Sequence, residues 1–331
     1  MRRYILRRVA GLIPLFFGIT VVTFFVVKLA PGKSTDLQAG LDPRISYEAR
    51  IRLEELSGAN LPVHIQYLRW LRDFVRFDFG RSMVDGRPVI DMITERIGIT
   101  VAINVMSLIL IMMIAIPIGI MASLKHGSLT DKLATIAVFI GFSTPGFWIA
   151  LLGMDFFGIQ LQLLPLSGIV SVDHEYLSAF GKVADVMKHL VLPVGISAFG
   201  GLAGLSRYTR SSMIGILQQD YITAARAKGL PEYAVIYKHA LKNALLPIIT
   251  ILGLAIPGLI GGSVIIETVF AIPGMGRLFF ESVMTRDITT IMGVLSIGAI
   301  LTLIGNFLAD ISYSIADPRI RIADGGRRAR S

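Results

Sequence analysis

The 331-residue chain has no cysteine, which excludes a disulfide framework and any thiolate metal site. It also has no phosphate-binding loop. Gly32-Lys33-Ser34 carries Val27 where the upstream glycine belongs, and Gly181-Lys182 is followed by Val183. The chain is therefore not expected to hydrolyse ATP itself. His-Glu-x-x-His and Gly-x-Ser-x-Gly are both missing, which removes the common metalloprotease and hydrolase signatures. His64, His126, His174, His189 and His239 are scattered without a metal-ligand spacing. No basic patch with interleaved aromatics is present, so the net charge of +9 does not point to nucleic acid.

Apolar sequence is abundant instead: 53% of residues are hydrophobic and 17% charged, with a mean hydropathy of +0.68. Six runs are long enough to span a bilayer, at residues 9–27, 99–124, 133–152, 190–205, 244–266 and 291–311. The fourth is the weakest, being interrupted by Pro193 and several glycines. The first run follows Arg2, Arg3, Arg7 and Arg8 as a signal peptide would. It is too long for one, however, and Lys28-Leu29-Ala30-Pro31 is a poor cleavage site, so it reads as a retained helix.

The expected fold is thus an all-α polytopic membrane protein of about six transmembrane helices. Basic residues set its orientation. They gather at the N-terminal end, at Lys125 and Lys132, between Arg207 and Lys242, and in the tail from Arg319 to Arg330. The long segment 31–97 is balanced instead, with ten basic and ten acidic residues. Both termini are therefore expected in the cytoplasm. The chain divides into a basic end with the first helix (1–30), an extracytoplasmic segment (31–97), a core of five further helices (98–315) containing a cytoplasmic loop (218–243), and a basic tail (316–331).

Within the extracytoplasmic segment, residues 61–77 predict an amphipathic helix with Ile65, Leu68, Leu71 and Val75 on one face and Trp70 in a core position. This segment reads equally as a packed cap or as a shelf for a docking protein. Three acids lie within or at the ends of spans: Asp155, Glu267 and Asp310. A charge at mid-bilayer costs about 2.5–3.5 kcal/mol, so such groups usually face protein or a pore. For Glu267 and Asp310 structural pairing is favoured over solute contact.

The polar island between the fourth and fifth runs carries the most information. Asp220 is a plausible N-cap, the run from Thr223 to Ala227 favours helix, and Gly229 suits a left-handed C-terminal position. Pro231 opens a second helix whose Tyr233, Ile236, Tyr237, Ala240 and Leu241 form an apolar stripe. Two short helices hinged at Gly229 make a rigid elbow, which can transmit force where a loose loop cannot. The competing reading is a basic amphipathic helix lying on anionic lipid.

Thr223-Ala224-Ala225-x-x-x-Gly229 resembles the Glu-Ala-Ala-x-x-x-Gly loop of membrane subunits of ATP-binding-cassette importers. It departs where Thr223 replaces Glu and where Leu246-Pro247 falls later than the family's Leu-Pro. Both departures resemble the oligopeptide, dipeptide and nickel permease branch. So do Asp220-Tyr221, Ala225-Arg226-Ala227-Lys228-Gly229, Glu267-x-x-Phe270-x-x-Pro273-Gly274-x-Gly276, and Asn306 through Asp310 to Asp317-Pro318-Arg319. The resemblance covers nearly the whole chain and implies an inner-membrane permease subunit forming half of a path for peptides. It also implies a homologous second permease, two ATPases that bind the ATP and Mg, an extracytoplasmic solute-binding protein and surrounding lipid. Its coupling residues would be Asp220, Tyr221, Thr223, Ala224, Ala225, Ala227, Lys228 and Gly229; Glu267, Asn306 and Asp310 are structural or pathway candidates. No cofactor or metal is implied for this chain. The alternatives are a permease for nickel or another small solute, and, more distantly, an ion-gradient-driven transporter.

Overall fold

The computed structural model describes residues 2–29, 61–125, 127–129, 131–132, 136, 140–141, 143–255 and 258–316. Among these the regular structure is helical, with one isolated antiparallel bridge between Arg81 and Pro88. Four helices contain a stretch long and apolar enough to cross a membrane. They are α1 (Arg2–Leu29), α3 (Val89–Leu124), α5 (Ala179–Leu217) and α11 (Ile288–Ala316), with α2 (Val63–Val75) after the first. Part of the expected 133–152 span lies outside the described residues. Its end forms α4 (Gly146–Gly153), which widens into a π-helical turn at Met154–Gln160. Residues 30–60 and 317–331 also lie outside the described set.

Two expectations change. The interrupted fourth run belongs to the longest described helix, the 39-residue α5, which passes through Pro193. Proline removes one backbone hydrogen bond, and in a packed bundle that loss does not end a helix. Conversely, the fifth run is broken. Its described residues form α7 (Leu241–Ala255) and α8 (Gly258–Gly261), then a non-helical break at Gly262–Ser263, with Gly262 at φ +70°, before α9 (Val264–Val269) and α10 (Met275–Met284). Asn104 on α3 donates to the Leu259 carbonyl at 2.7 Å, so a side chain serves backbone left over at the break.

The contacts divide the chain into two compact units. The first comprises residues 1–100, 260–264 and 273–307. Its core joins Phe74, Phe79, Val89, Met92 and Ile93 to Met275, Leu278 and Val294. The Asp78–Val89 segment is built into this core. Ser82 donates to Asp287 at 2.5 Å, and the same carboxylate accepts from the Thr290 amide (3.1 Å) and hydroxyl (2.7 Å), capping α11. Asp287 is 2% exposed. Trp70 packs against the core, as expected. The predicted face of α2 is wrong, however. Phe74 is buried and Tyr67 and Trp70 stack beside it, while Leu68 and Val75 are exposed. Large aromatic rings gain more from burial than the aliphatic stripe does, and they rotate the helix.

The second unit comprises residues 101–259, 265–272 and 308–331. Here α3 and α5 cross closely at Gly119, where a Cβ would stand 2.5 Å from the Thr209 Cβ and 2.8 Å from the Ser206 carbonyl oxygen.

Asp287→Ala is expected to lower stability by about 1–3 kcal/mol, because it strands buried hydroxyl and amide donors. Asp287→Asn should lose less. Thermal unfolding of the detergent-purified chain measures both.

Candidate functional site

The polar island folds as the expected elbow, with changes at its edges. Helix α6 (Asp220–Ala227) starts one residue earlier in role than predicted: extended Gln219 is the N-cap, and its carbonyl accepts from Ile222 at 3.0 Å. Asp220 is the first helical residue, where its charge meets the positive end of the helix dipole. Gly229 turns the chain at φ +76°, with its amide donating to the Arg226 carbonyl at 2.9 Å. The Pro231 carbonyl then accepts from the Ala234 amide (2.8 Å) and the Val235 amide (3.2 Å), opening the second helix. Across the turn, Arg226 grips Glu232 with two hydrogen bonds of 3.2 and 2.7 Å. Asn243 donates to the Tyr221 hydroxyl at 2.9 Å, fastening the first helix to the segment after the second.

The second helix is not a regular α-helix. Ala234–Ala240 forms a π-helical turn, wider than 3.6 residues, so the expected stripe shifts. Val235, Ile236 and Ala240 are buried, whereas Tyr233 (73% exposed) and Tyr237 (47%) face outward with ring centroids 4.9 Å apart. The buried side joins Ile222 and Ala225 from α6, Ile120 from α3, Met213 from α5 and Ala244 from α7 in one apolar cluster. An ion pair between half-buried Arg210 and buried Asp131 lies in the same unit. Arg210 of α5 meets Asp131 with bonds of 2.6 and 2.7 Å, and Asp131 also accepts from the Gly127 amide at 3.0 Å. Ser212 of α5 donates to the Ala244 carbonyl at 3.2 Å.

The elbow therefore has two faces. Asp220, Tyr221, Thr223, Ala224, Ala227, Lys228 and Gly229 are exposed, while Ala225 is 7% exposed and packs inward. A bulky residue at position 225 would disturb this packing rather than block an outer contact.

The description "binding-protein-dependent transport system inner membrane component" matches residues 115–322, which include the whole elbow. The N-terminal part of the same class of membrane component matches residues 1–104. The chain belongs to this family. An oligopeptide transport system permease protein, AppB of Bacillus subtilis (strain 168), is 43% identical over 321 residues, covering 97% of this chain and 99% of that protein. A probable peptide ABC transporter permease protein, y4tP of Sinorhizobium fredii, is 36% identical over 319 residues, 96% and 99% of the two chains. A dipeptide transport system permease protein, DppB of Alkalihalophilus pseudofirmus, is 36% identical over 335 residues, 97% and 100% of the two chains. Together these place the chain in the peptide-permease branch of ATP-binding-cassette importers, as a multi-pass protein of the cytoplasmic membrane.

In this permease the remaining predicted residues belong to other elements than the elbow. Glu267 is 2% exposed in α9, and its carbonyl accepts from the Ile272 amide at 2.8 Å. Asn306 is exposed on α11. Asp310 lies in the same helix, and its side chain is outside the described residues. Asp155 is exposed and accepts from Gln160 at 2.6 Å. Sequence reasoning missed the Asp131–Arg210 pair, because 79 residues separate its members. It also treated the histidines as unrelated. His174 bonds Asp185 at 2.7 Å, and His189 reaches the Asp185 carbonyl at 2.8 Å. Of the two, the i, i+4 spacing of Asp185 and His189 was the signal available.

Ala225→Trp is expected to destabilise the permease by about 1–3 kcal/mol or more through overpacking, whereas Thr223→Trp leaves stability within about 0.5 kcal/mol. Thermal unfolding of both variants in detergent separates them.

The Arg226 hydrogen bonds hold the Glu232 carboxyl below its ordinary 4.5. The pair's contribution is thus present above the unfolded pKa and lost as pH falls through the lower folded value. Amide exchange near Gly229 should accelerate, after correction for its intrinsic pH dependence, only when pH drops below the usual carboxylate range. Glu232→Gln should abolish that dependence.

Proposed function

We propose that this permease forms half of the translocation path of a peptide importer and that the elbow at residues 220–243 couples it to a pair of ATPase subunits. The carrying observation is the two-faced elbow, with an inner side welded into α3, α5 and α7 and an outer side left exposed. An outer contact made by Thr223, Ala224, Lys228, Tyr233 and Tyr237 can thus pull directly on long apolar helices. The proposed topology has six spans with both termini in the cytoplasm, following the distribution of Lys and Arg. It puts the elbow on the ATPase side and residues 31–97 on the side of a solute-binding protein.

The proposed cycle is a shift between two states of the bundle. ATP binding draws the two ATPases together, the elbows follow, and the path opens outward to receive a peptide from the binding protein; hydrolysis resets it. Coupling requires that the elbow contact the two ATPase states differently. ATP and Mg are held by the partners, since this chain has no phosphate-binding loop. A homologous second permease supplies the other half of the path. The names of the relatives favour di- and oligopeptides as solutes over nickel complexes.

In the assembled transporter, Gly229→Pro and Thr223→Trp should each cut uptake of labelled peptide and stimulated ATPase activity at least roughly tenfold, the equivalent of about 1.4 kcal/mol of lost contact. Membrane insertion should be normal. Wild-type uptake with either variant would refute the coupling role, and uptake of nickel but not of peptides would refute the solute class.

A further inference from the structure

The elbow is seated on two helices at once, since Ile120 of α3 and Met213 of α5 both enter its apolar cluster. A pull on the elbow moves both helices together only if they keep their register. The two run side by side in the same direction. Ser107 faces the Val194 carbonyl at 3.3 Å, Ile111 lies against Gly201, and Gly119 lies against Thr209, so position numbers rise together along both. This seam is smooth. At Gly201 and Gly119 one helix offers no side chain, and the Thr209 hydroxyl turns back to the Leu205 carbonyl of its own helix at 2.8 Å. Ser107 likewise donates more closely to Ile103 of its own helix, at 2.7 Å. Packed helices with such smooth contacts can slide past one another by small amounts, as they do in shear motions.

A directional bond stands where the seam ends. Arg210 follows Thr209 on α5, about 100° further around the helix, so it acts on a different side of α5 from the Gly119 contact. Its Nε and Nη2 donate to the two carboxylate oxygens of Asp131 at 2.6 and 2.7 Å. Asp131 is tied in turn to the end of α3. Beyond Leu124 the Lys125 carbonyl accepts from the Ser128 amide at 3.0 Å, and Gly127 turns at φ +78° and donates its amide to Asp131 at 3.0 Å. The carboxylate is therefore held by the chain leaving α3, and the guanidinium by α5. A paired guanidinium–carboxylate contact fixes an angle as well as a distance. Met213 lies just under one turn beyond Arg210, so the bond sits where the elbow's pull arrives.

We infer that Asp131 and Arg210 are positioning residues for transport: they lock the register of α3 against α5, so that the elbow moves the two helices as one. This rests on the coupling role proposed for the elbow. Without the lock, the elbow draws Met213 and lets Ile120 slip, and ATP is hydrolysed without a full turn of the bundle. Stability and register can be separated. Replacing both members of a buried ion pair by apolar side chains of similar volume often leaves stability unchanged or raised, but removes the fixed geometry.

The test measures labelled-peptide uptake and ATP hydrolysis together, in proteoliposomes of the assembled transporter. D131L/R210M should unfold no earlier than the wild type, keep its stimulated hydrolysis, and lose at least about threefold in peptide taken up per ATP. Arg210→Lys keeps a charge beside Asp131 but not the paired geometry, and should fall between; it is the variant to read if the double one does not fold. Nitroxides at Met113→Cys on α3 and Val191→Cys on α5, both exposed positions in a chain without cysteine, report the register by pulsed electron resonance. Their distance should stay narrow with and without trapped ATP when the pair is intact, and shift or broaden on trapping ATP in the variants. Wild-type uptake per ATP in a folded variant, or an unchanged distance there, would overturn the lock. Equal loss of uptake and hydrolysis would assign the pair to folding alone and overturn it too. Thr223→Trp is run beside them. If it impairs uptake while the pair variants do not, the lock fails and the elbow reading stands; if it has no effect, the elbow reading fails and the pair's coupling role with it.

Discussion

The apolar cluster beneath the elbow is the contact on which a mechanical account of this permease depends. Ile222 and Ala225 enter it from α6, Val235, Ile236 and Ala240 from the π-turn, and Ile120, Met213 and Ala244 from the longer helices. Ile222, Met213, Val235, Ala240 and Ala244 have no exposure at all. Close-packed interiors transmit displacement because they have no slack to absorb it. A short helix that met the bundle only through surface charges would slip, since exposed ion pairs contribute about 0–1 kcal/mol each. The Arg226–Glu232 and Tyr221–Asn243 contacts shape the elbow, but the packed side attaches it.

Polar groups do a different job in the two units. Asp287 gathers Ser82 and Thr290, and so joins the Asp78–Val89 segment to the start of α11. Asp131 gathers Arg210 and the Gly127 amide, and so joins the loop after α3 to α5. In each case a carboxylate that is almost wholly buried has several donors, the condition under which a buried charge is tolerated. Asn104 serves the break after α8 in the same way, with an amide in place of a charge.

How much of this was legible in the sequence depended on how local the cause was. The helical class and the long spans follow from composition along the chain, and Gly229 announced its turn because only a residue without Cβ rests easily at φ +76°. The stripe on the second elbow helix was misread because a 3.6-residue period was assumed where the backbone makes a π-turn; nothing in Ala234–Ala240 signals the wider step. The face of α2 was misread because aliphatic spacing was counted ahead of aromatic bulk. Pro193 and the nearby glycines disguised the longest described helix, since neighbours that tolerate a break are distant in sequence. Asp287–Ser82 and Asp131–Arg210 lie 205 and 79 residues apart, beyond any local pattern. The candidate residues lie on the elbow helix and its turn, but the sequence could not tell that Ala225 faces inward and Thr223 outward.

Rigid attachment of the elbow to the long helices can be measured within one chain. Nitroxides at Thr223→Cys on the elbow and Ile109→Cys on the exposed side of α3 report the distance between them by pulsed electron resonance; position 109 lies about 16 Å along the helix from Ile120. In the assembled transporter this distance should keep one narrow distribution with and without trapped ATP, while the distance between the elbows of the two permeases changes. A shift, broadening or splitting of the intrachain distance on trapping ATP would contradict the account.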